Sequence, residues 1–336
     1  GMHNWPGAQV GTFAVSPGPV MASSNEFKIT IRGKGMDKTI LSFKNQKTGA
    51  EGIKITNCEN IVLEDLTVQD SKGDLIKTMH VKDLVFRRIK AEWTGGPKAK
   101  NGSYAFYPVL CTNILIDSCI AIGASDAGIY VGQSKNIEVK NCIAYQNVAG
   151  IEIENSLYAD VHHNHAYGNT GGILVFDLPD LIQKKGGFVK VHDNLIENNN
   201  LSNFAPKGNI VGKVPRGTGM LILATSNVDI FDNKILNHRT VGVGIISYFL
   251  AEIAIKDKEY DPYPTAISIF KNTFERRPGR VPLEGRFAQI YRFKLRFGRN
   301  VPHVVYDGIL DSARCGSDGK YLPQHRICVH QNVNQS

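Results

Sequence analysis

The sequence of 336 residues is poor in the features that mark many enzyme classes. It has two tryptophans and six cysteines, at positions 58, 111, 119, 142, 315 and 328. No CxxC pair occurs and no Cys/His cluster has zinc spacing, so neither a zinc-binding module nor a dithiol redox centre is expected. No apolar run reaches the ~18 residues of a membrane-spanning helix, so no transmembrane segment is expected. Phosphate loops, HExxH, GxSxG and dinucleotide-binding glycine motifs are missing in any fitting context. Helix formers dominate no long window. The net charge of +8 favours an anionic partner only weakly. Without an aromatic–basic platform or a recognition-helix motif, nucleic-acid binding is not expected.

What the sequence has instead is repetition. "DAGIYV" at 126–131 is echoed by "AGIEI" at 149–153 and "GGILV" at 171–175, and Gly128, Gly150 and Gly172 are 22 residues apart. Beside it runs a second pattern of alternating apolar and polar residues, which is strand periodicity. Its first inward column reads Ile61, Leu84, Ile114, Ile137, Ala159, Val189, Val228, Ile267. The next reads Leu63, Phe86, Ile116, Val139, Val161, Val191, Ile230, Ile269, in identical steps. Ile29 and Ile31 precede both columns by one step. A short strand cannot bury one face alone, but stacked coils bury a continuous core. The fold class is therefore all-β, a parallel β-helix of roughly 22–23 residues per coil. Asn141, Asn164, Asn194, Asn233 and Asn272 read as one asparagine ladder, and Cys119 and Cys142 as stacked core thiols. The expected organisation is a β-helix with an N-terminal cap over 1–275. A C-terminal cap and tail, opening on a basic stretch at 276–300, follows over 276–336. Cys315 and Cys328 are a candidate disulfide in an oxidising compartment.

The irregular steps hold inserted loops at 92–103, 177–187, 199–217 and 248–264. Two precede and two follow the "GIxV" strand of their coil. That strand stack is then the floor of a trough walled by loops, the usual place for a binding face. The residue x points outward, and its column is expected to read Lys54, Tyr107, Tyr130, Glu152, Leu174, Leu221, Ile246. Tyr130, Glu152, Asp126 and Lys100 are the candidate catalytic residues. Tyr107, Glu154, Asp177, Asp180, Lys98, Lys207 and Arg216 are the candidate substrate-binding residues. Carboxylates beside cations and tyrosine suit proton abstraction next to a substrate carboxylate, which needs a base, an acid and a charge neutraliser. The neutraliser is Lys100 or a metal ion, for which Ca2+ is the candidate; no motif demands a cofactor. Asp126 and Glu152 could instead flank a glycosidic bond. A floor sealed by 199–217 and 248–264 would rule catalysis there out.

The segments "AEWTGGPKAKNGSYAFYPV" (91–109), "AIGASDAGIYVGQS" (121–134), "NTGGILVFDLPDL" (169–181) and "NFAPKGNIVGKVPRGTG" (203–219) carry a resemblance. Together the chain resembles a family of bacterial right-handed parallel β-helix repeat proteins, often encoded near c-type cytochromes. The resemblance implies the right-handed fold over roughly 28–275, returning at 302–330, and a periplasmic or extracellular location with the signal peptide outside this sequence. More remotely the architecture is similar to pectate-lyase-like and alginate-epimerase-like proteins. The epimerase "DPHD" motif and the clustered aspartates and arginine of calcium-dependent lyases are not found, so their catalytic residues do not carry over. The expected function is carbohydrate binding or action on an acidic polysaccharide, by lyase or C5-epimerase chemistry. The alternative is a non-catalytic cell-envelope binding or assembly module with an envelope protein partner.

Overall fold

The computed structural model describes residues 13–15 (backbone only), 28–277, 282, 289–290 and 301–335. Most of the expected N-terminal cap, and nearly all of the basic stretch at 278–300, lie outside the described residues. The chain winds as a parallel β-helix with three sheets. Each coil contributes one rung to a floor sheet, one to a second sheet and one to a third. A typical coil is Ala127–Gly132, Lys135–Lys140 and Ile143–Tyr145, followed by Ala149–Glu154, Leu157–His162 and His165–Tyr167. Near the N-terminal end, Ile53–Gln69 and Ile76–Glu92 run through all three sheets without a break. They turn on left-handed residues such as Asn57, Asn60 and Asp65.

The register follows the two sequence columns. Ile61 pairs with Leu84, Leu84 with Ile114, Ile114 with Ile137, Ile137 with Ala159, and so on to Val228 with Ile267. Ile29 pairs with Ile61. The stacked residues form one continuous interior core. Val304–Tyr306, Ile327–His330 and Val333–Asn334 add a last rung to each sheet.

Three corners separate the sheets, and each has a side-chain ladder. Between second and third sheets, Asn164, Asn194, Asn233, Asn272 and Asn332 stack in one line. Each amide oxygen accepts the backbone N–H of the equivalent residue one coil earlier, at 2.9–3.0 Å. Asn141 does not belong to this line. It sits one residue early, at a left-handed position (φ 54°) that Ser118, His163 and Asp193 also occupy, and its side chain reaches Asp117. The ladder position in its coil is Cys142, which donates its N–H to Asn164 Oδ1. Cys142 Sγ in turn accepts the Cys119 N–H at 3.4 Å. The thiols thus extend the amide ladder.

A second asparagine ladder, not anticipated, lies between third sheet and floor: Asn147, Asn169 and Asn199. It explains the recurrent glycines. A Cβ on Gly128 would lie 2.7 Å from Asn147 Nδ2, and one on Gly172 2.8 Å from Asn199 Nδ2. The glycines give room to the ladder. His238 takes the next place, donating to Ile196 O where the asparagines donate to Ala121, Ala144 and Ala166. Burial holds its imidazole down to about 3, so the ring is neutral. All six cysteines are free, so Cys315 and Cys328 are not joined.

Asn233→Ala is expected to lower stability by about 3 kcal/mol or more, because it strands the Asn194 N–H and amide in the core. Asn141→Gly, which keeps the left-handed backbone, is expected to change stability by less than about 0.5 kcal/mol. Urea unfolding of both variants checks the assignment of the ladder.

Candidate functional site

The outward column of the floor sheet reads Lys54, Lys77, Tyr107, Tyr130, Glu152, Leu174, Leu221, Gly244. Tyr107 aligns with Tyr130 because Phe106 pairs with Ile129. Two corrections follow. Lys77, not anticipated, stands between Lys54 and Tyr107. Ile246 belongs to the neighbouring outward column, with Glu154, Phe176 and Leu223.

The trough is roofed. Val211 and Val214 from 199–217, and Tyr248, Ala251 and Tyr260 from 248–264, pack with Leu174, Leu221, Leu223 and Ile246 in a second apolar cluster. Glu152 is 2% exposed and Tyr130 3%. A polysaccharide therefore cannot lie along this floor, and catalysis along its length is withdrawn. The floor stays accessible only at its N-terminal end, where Lys54, Lys77 and Tyr107 are partly exposed.

At that border a polar cluster is built into the roofed side. The rings of Tyr104, Tyr107 and Tyr130 lie 4.4–5.1 Å apart, centre to centre. The Tyr130 hydroxyl donates to Glu154 Oε1 at 2.6 Å. Tyr104 Oη lies 3.4 Å from Asp126 Oδ2, and Asn209 Nδ2 3.5 Å from the same oxygen. At the outer rim Lys77 Nζ sits 4.7 Å over the Tyr107 ring, 3.7 Å from Glu51 and 4.0 Å from Asp74. Glu152 Oε2 is buried with no hydrogen-bond partner.

Carboxyls packed together out of water resist ionisation. Burial, then the Glu154 charge, pushes Asp126 up to about 7. Burial pushes Glu154 up to about 7 against the lowering effect of Tyr130. Glu152 is held well above the usual range by burial and by Asp126 and Glu154. Burial raises Asp74 to about 6 and Tyr107 to about 12. Among the described residues no cation contributes to the shift of Glu152 or Glu154.

Of the candidate residues, the structure brings together Tyr130, Glu152, Asp126, Glu154 and Tyr107. It does not bring the others to them. Lys98, Lys100, Lys207 and Asp180 are exposed on loops. Arg216 donates to Asn200 O. Asp177 is a loop clamp: both its oxygens accept the Gly186 N–H, and Tyr260 donates to its backbone carbonyl. Lys77 takes the place given to Lys100. Tyr104, Asp74 and Asn209 were missed because they lie outside the strand repeat, whereas Lys77 falls in the x column of its own coil and was legible there. Among the described residues no three His, Cys, Asp or Glu side chains form a metal-holding group, so no calcium position is assigned. His162 stacks flat on His192 in the second sheet, away from the cluster.

The raised carboxyls fix the sign of a pH effect. The folded protein holds protons at Asp126 and Glu154 that the unfolded chain releases near its ordinary carboxylate range. Their contribution is complete below that range and is lost as pH rises through about 7. The unfolding free energy is expected to fall as pH is raised from about 5 to about 8, by at most about 1.4 kcal/mol per pH unit per group, and the thermal midpoint to fall with it. The Asp126→Asn, Glu154→Gln double variant should flatten that slope in calorimetric scans.

The comparisons place the chain. The model of the right handed beta helix region matches residues 28–177 and 98–251. Among solved structures, a mannuronan C-5 epimerase A-module of Azotobacter vinelandii superposes with a TM-score of 0.57, at 12% identity, over 91% of this chain and 79% of that one. A second A-module from the same organism gives 0.48 at 15% identity, over 91% and 83%. N-acetylcysteine deacetylase of Bacillus subtilis is 37% identical over 67 residues, 20% of this chain and 18% of that protein. The chain thus spans less than a fifth of that relative's length, and the likeness to the first A-module shows a common fold. No helix among the described residues is long and apolar enough to cross a membrane. With the family model covering most of the coils, the chain belongs to the right-handed β-helix family.

Proposed function

We propose that this is a carbohydrate-active β-helix protein that handles the end of an acidic glycan at the rim of its roofed floor, by proton transfer next to a uronate carboxylate. The observation that supports this reading is the cluster itself: carboxyls and phenols held in contact, out of water, beside one partly exposed cation. Perturbed groups of this kind gather at functional sites. The mannuronan epimerase fold likeness is in keeping with this substrate class but carries no residue roles.

In this reading Lys77, with Lys54 beside it in the column, neutralises the substrate carboxylate and so acidifies the adjacent C–H. Glu154 or Asp126, whose carboxyls burial raises towards the neutral range, accepts that proton in its ionised form. Tyr107 or Tyr130 returns a proton, either to the opposite face of the carbanion (epimerisation) or to the departing glycosidic oxygen (elimination). Because the floor beyond Glu152 is closed, the reaction is confined to chain ends and short oligomers. That closure also favours the second reading, a non-catalytic envelope module. The exported location that both readings share is part of the proposal.

Incubation with polymannuronate, polyguluronate and polygalacturonate oligomers in D2O separates the two. Deuterium uptake at C5 reports epimerisation, and the ultraviolet absorbance of a C4=C5 unsaturated product, which keeps no hydrogen at C5, reports elimination. The enzyme reading expects one of these two signals with at least one oligomer, reduced about a hundredfold or more by Glu154→Gln and strongly by Lys77→Ala. Neither deuterium uptake nor an unsaturated product with any of the three leaves the binding module as the function.

A further inference from the structure

The corner residue that opens each second-sheet strand is left-handed. In four coils it is Asn60, Asp83, Asn113 and Asn136, and later Asn227, with φ of 57–58°. Asparagine and aspartate tolerate this conformation, and here they bond to one another: Asn136 Nδ2 to Asn113 Oδ1 at 2.9 Å, Asn113 Nδ2 to Asp83 Oδ1 at 2.7 Å. Three coils break the rule: Ala266 holds the position at φ 54°, and two successive coils place aromatic residues there. Tyr158 and Phe188 hold the same position at φ 59° and 56°.

A bulky aromatic in the left-handed region is strained, and these two gain little burial in return, being 50% and 52% exposed. They also forgo the amide ladder. Strain kept without a packing gain points to function. The rings stack on each other, 5.1 Å apart and 17° from parallel, as one flat platform, with Lys135 Nζ 5.6 Å over Tyr158.

The platform lies in a groove on the outer face of the second sheet. A cavity of about 650 Å³ adjoins Tyr158 on one side, lined by Leu115, Asn136 and Glu138 among others. One of about 490 Å³ continues from Tyr158 past Phe188 to Lys190 and Asp229. Tyr158 belongs to both, so the groove crosses several coils. Its chemistry selects the occupant. An apolar ring platform takes the C–H face of a pyranose, and flanking amides and carboxylates take hydroxyls. Asp83, Glu138, Asp160 and Asp229 stand in the groove against Lys28, Lys135 and Lys190, a balance that gives no net cationic track for a polyuronate or a nucleic acid.

We propose that the outer face of the second sheet is a separate carbohydrate site, which binds a neutral polysaccharide chain along the solenoid with Tyr158 and Phe188 as its stacking platform. The site does not depend on the roofed cluster.

The double variant Tyr158→Asn, Phe188→Asn installs the residue type of the neighbouring coils and removes the platform. Affinity electrophoresis through gels containing a β-glucan, a galactomannan, polygalacturonate or chitosan reads binding, and thermal unfolding reads stability. The wild-type chain is expected to be retarded by at least one neutral polymer, and the variant to bind it at least tenfold more weakly with an unchanged or higher unfolding midpoint. A lowered midpoint with unchanged retardation shows the rings to be structural and overturns the proposal. So does retardation by polygalacturonate or chitosan alone, or sedimentation showing a wild-type dimer that the variant converts to monomer, with no polymer bound. If the variant does not fold, hydroxyl-radical footprinting of the wild-type chain decides: the neutral polymer must protect Tyr158 and Phe188 and leave Tyr107 unchanged, and equal labelling with and without polymer overturns the site.

Discussion

Every corner of this solenoid turns a backbone N–H into the interior, where water cannot reach it. An unpaired buried donor is costly, so each turn needs an acceptor at a fixed height. The next coil supplies it from a side chain: an amide oxygen in Asn164 through Asn332, a thiol in Cys142, a hydroxyl in Ser134 and Ser156. The rest of the architecture follows from this demand. Coils must stack in register, and the register then lines up the apolar columns. The floor glycines are small because ladder amides press against them. Length variation is pushed into the loops between corners, which is where the roof comes from.

The repeat made the scaffold legible in the sequence, since a ladder residue and a core residue recur at equal steps. The error at Asn141 is instructive. Asparagine serves two needs here, left-handed backbone and ladder acceptor, one residue apart, and composition alone does not tell them apart. Cys142 was read as a core thiol when it is also a rung. The opposite failure occurred at Lys100, Lys98 and Lys207. Loop residues obey no period, so nothing in the sequence says which way a loop folds. The roof over Leu174 and Leu221 joins segments far apart in sequence, and Tyr260 reaches back 83 residues to donate to the Asp177 carbonyl. Of the two charges at the rim, Lys77 falls in the outward column and was within reach of the column logic, whereas Asp74 lies outside the strand.

The chain presents two polar surfaces of different character. Under the roof, carboxyls and phenols are crowded together and ionise reluctantly. On the second sheet, a shallow open groove carries flat apolar rings among amides and carboxylates. One is suited to moving a proton at a confined point, the other to holding an extended polymer.

The lateral bonds also bear on how such a chain can change length. One coil in the middle of the solenoid is a self-contained unit, with its own rung in each ladder. Duplicating or deleting such a unit preserves every type of bond between coils, so the scaffold can grow or shrink in whole turns without a new packing problem. The carboxyl–phenol cluster cannot follow. Tyr130 and Glu154 meet only because they lie on adjacent coils. An added turn between them would leave a sound solenoid with the pair pulled apart by one strand spacing, roughly 4.8 Å. Length is a free variable of the ladders, but not of side-chain pairs that span two adjacent coils, as this one does.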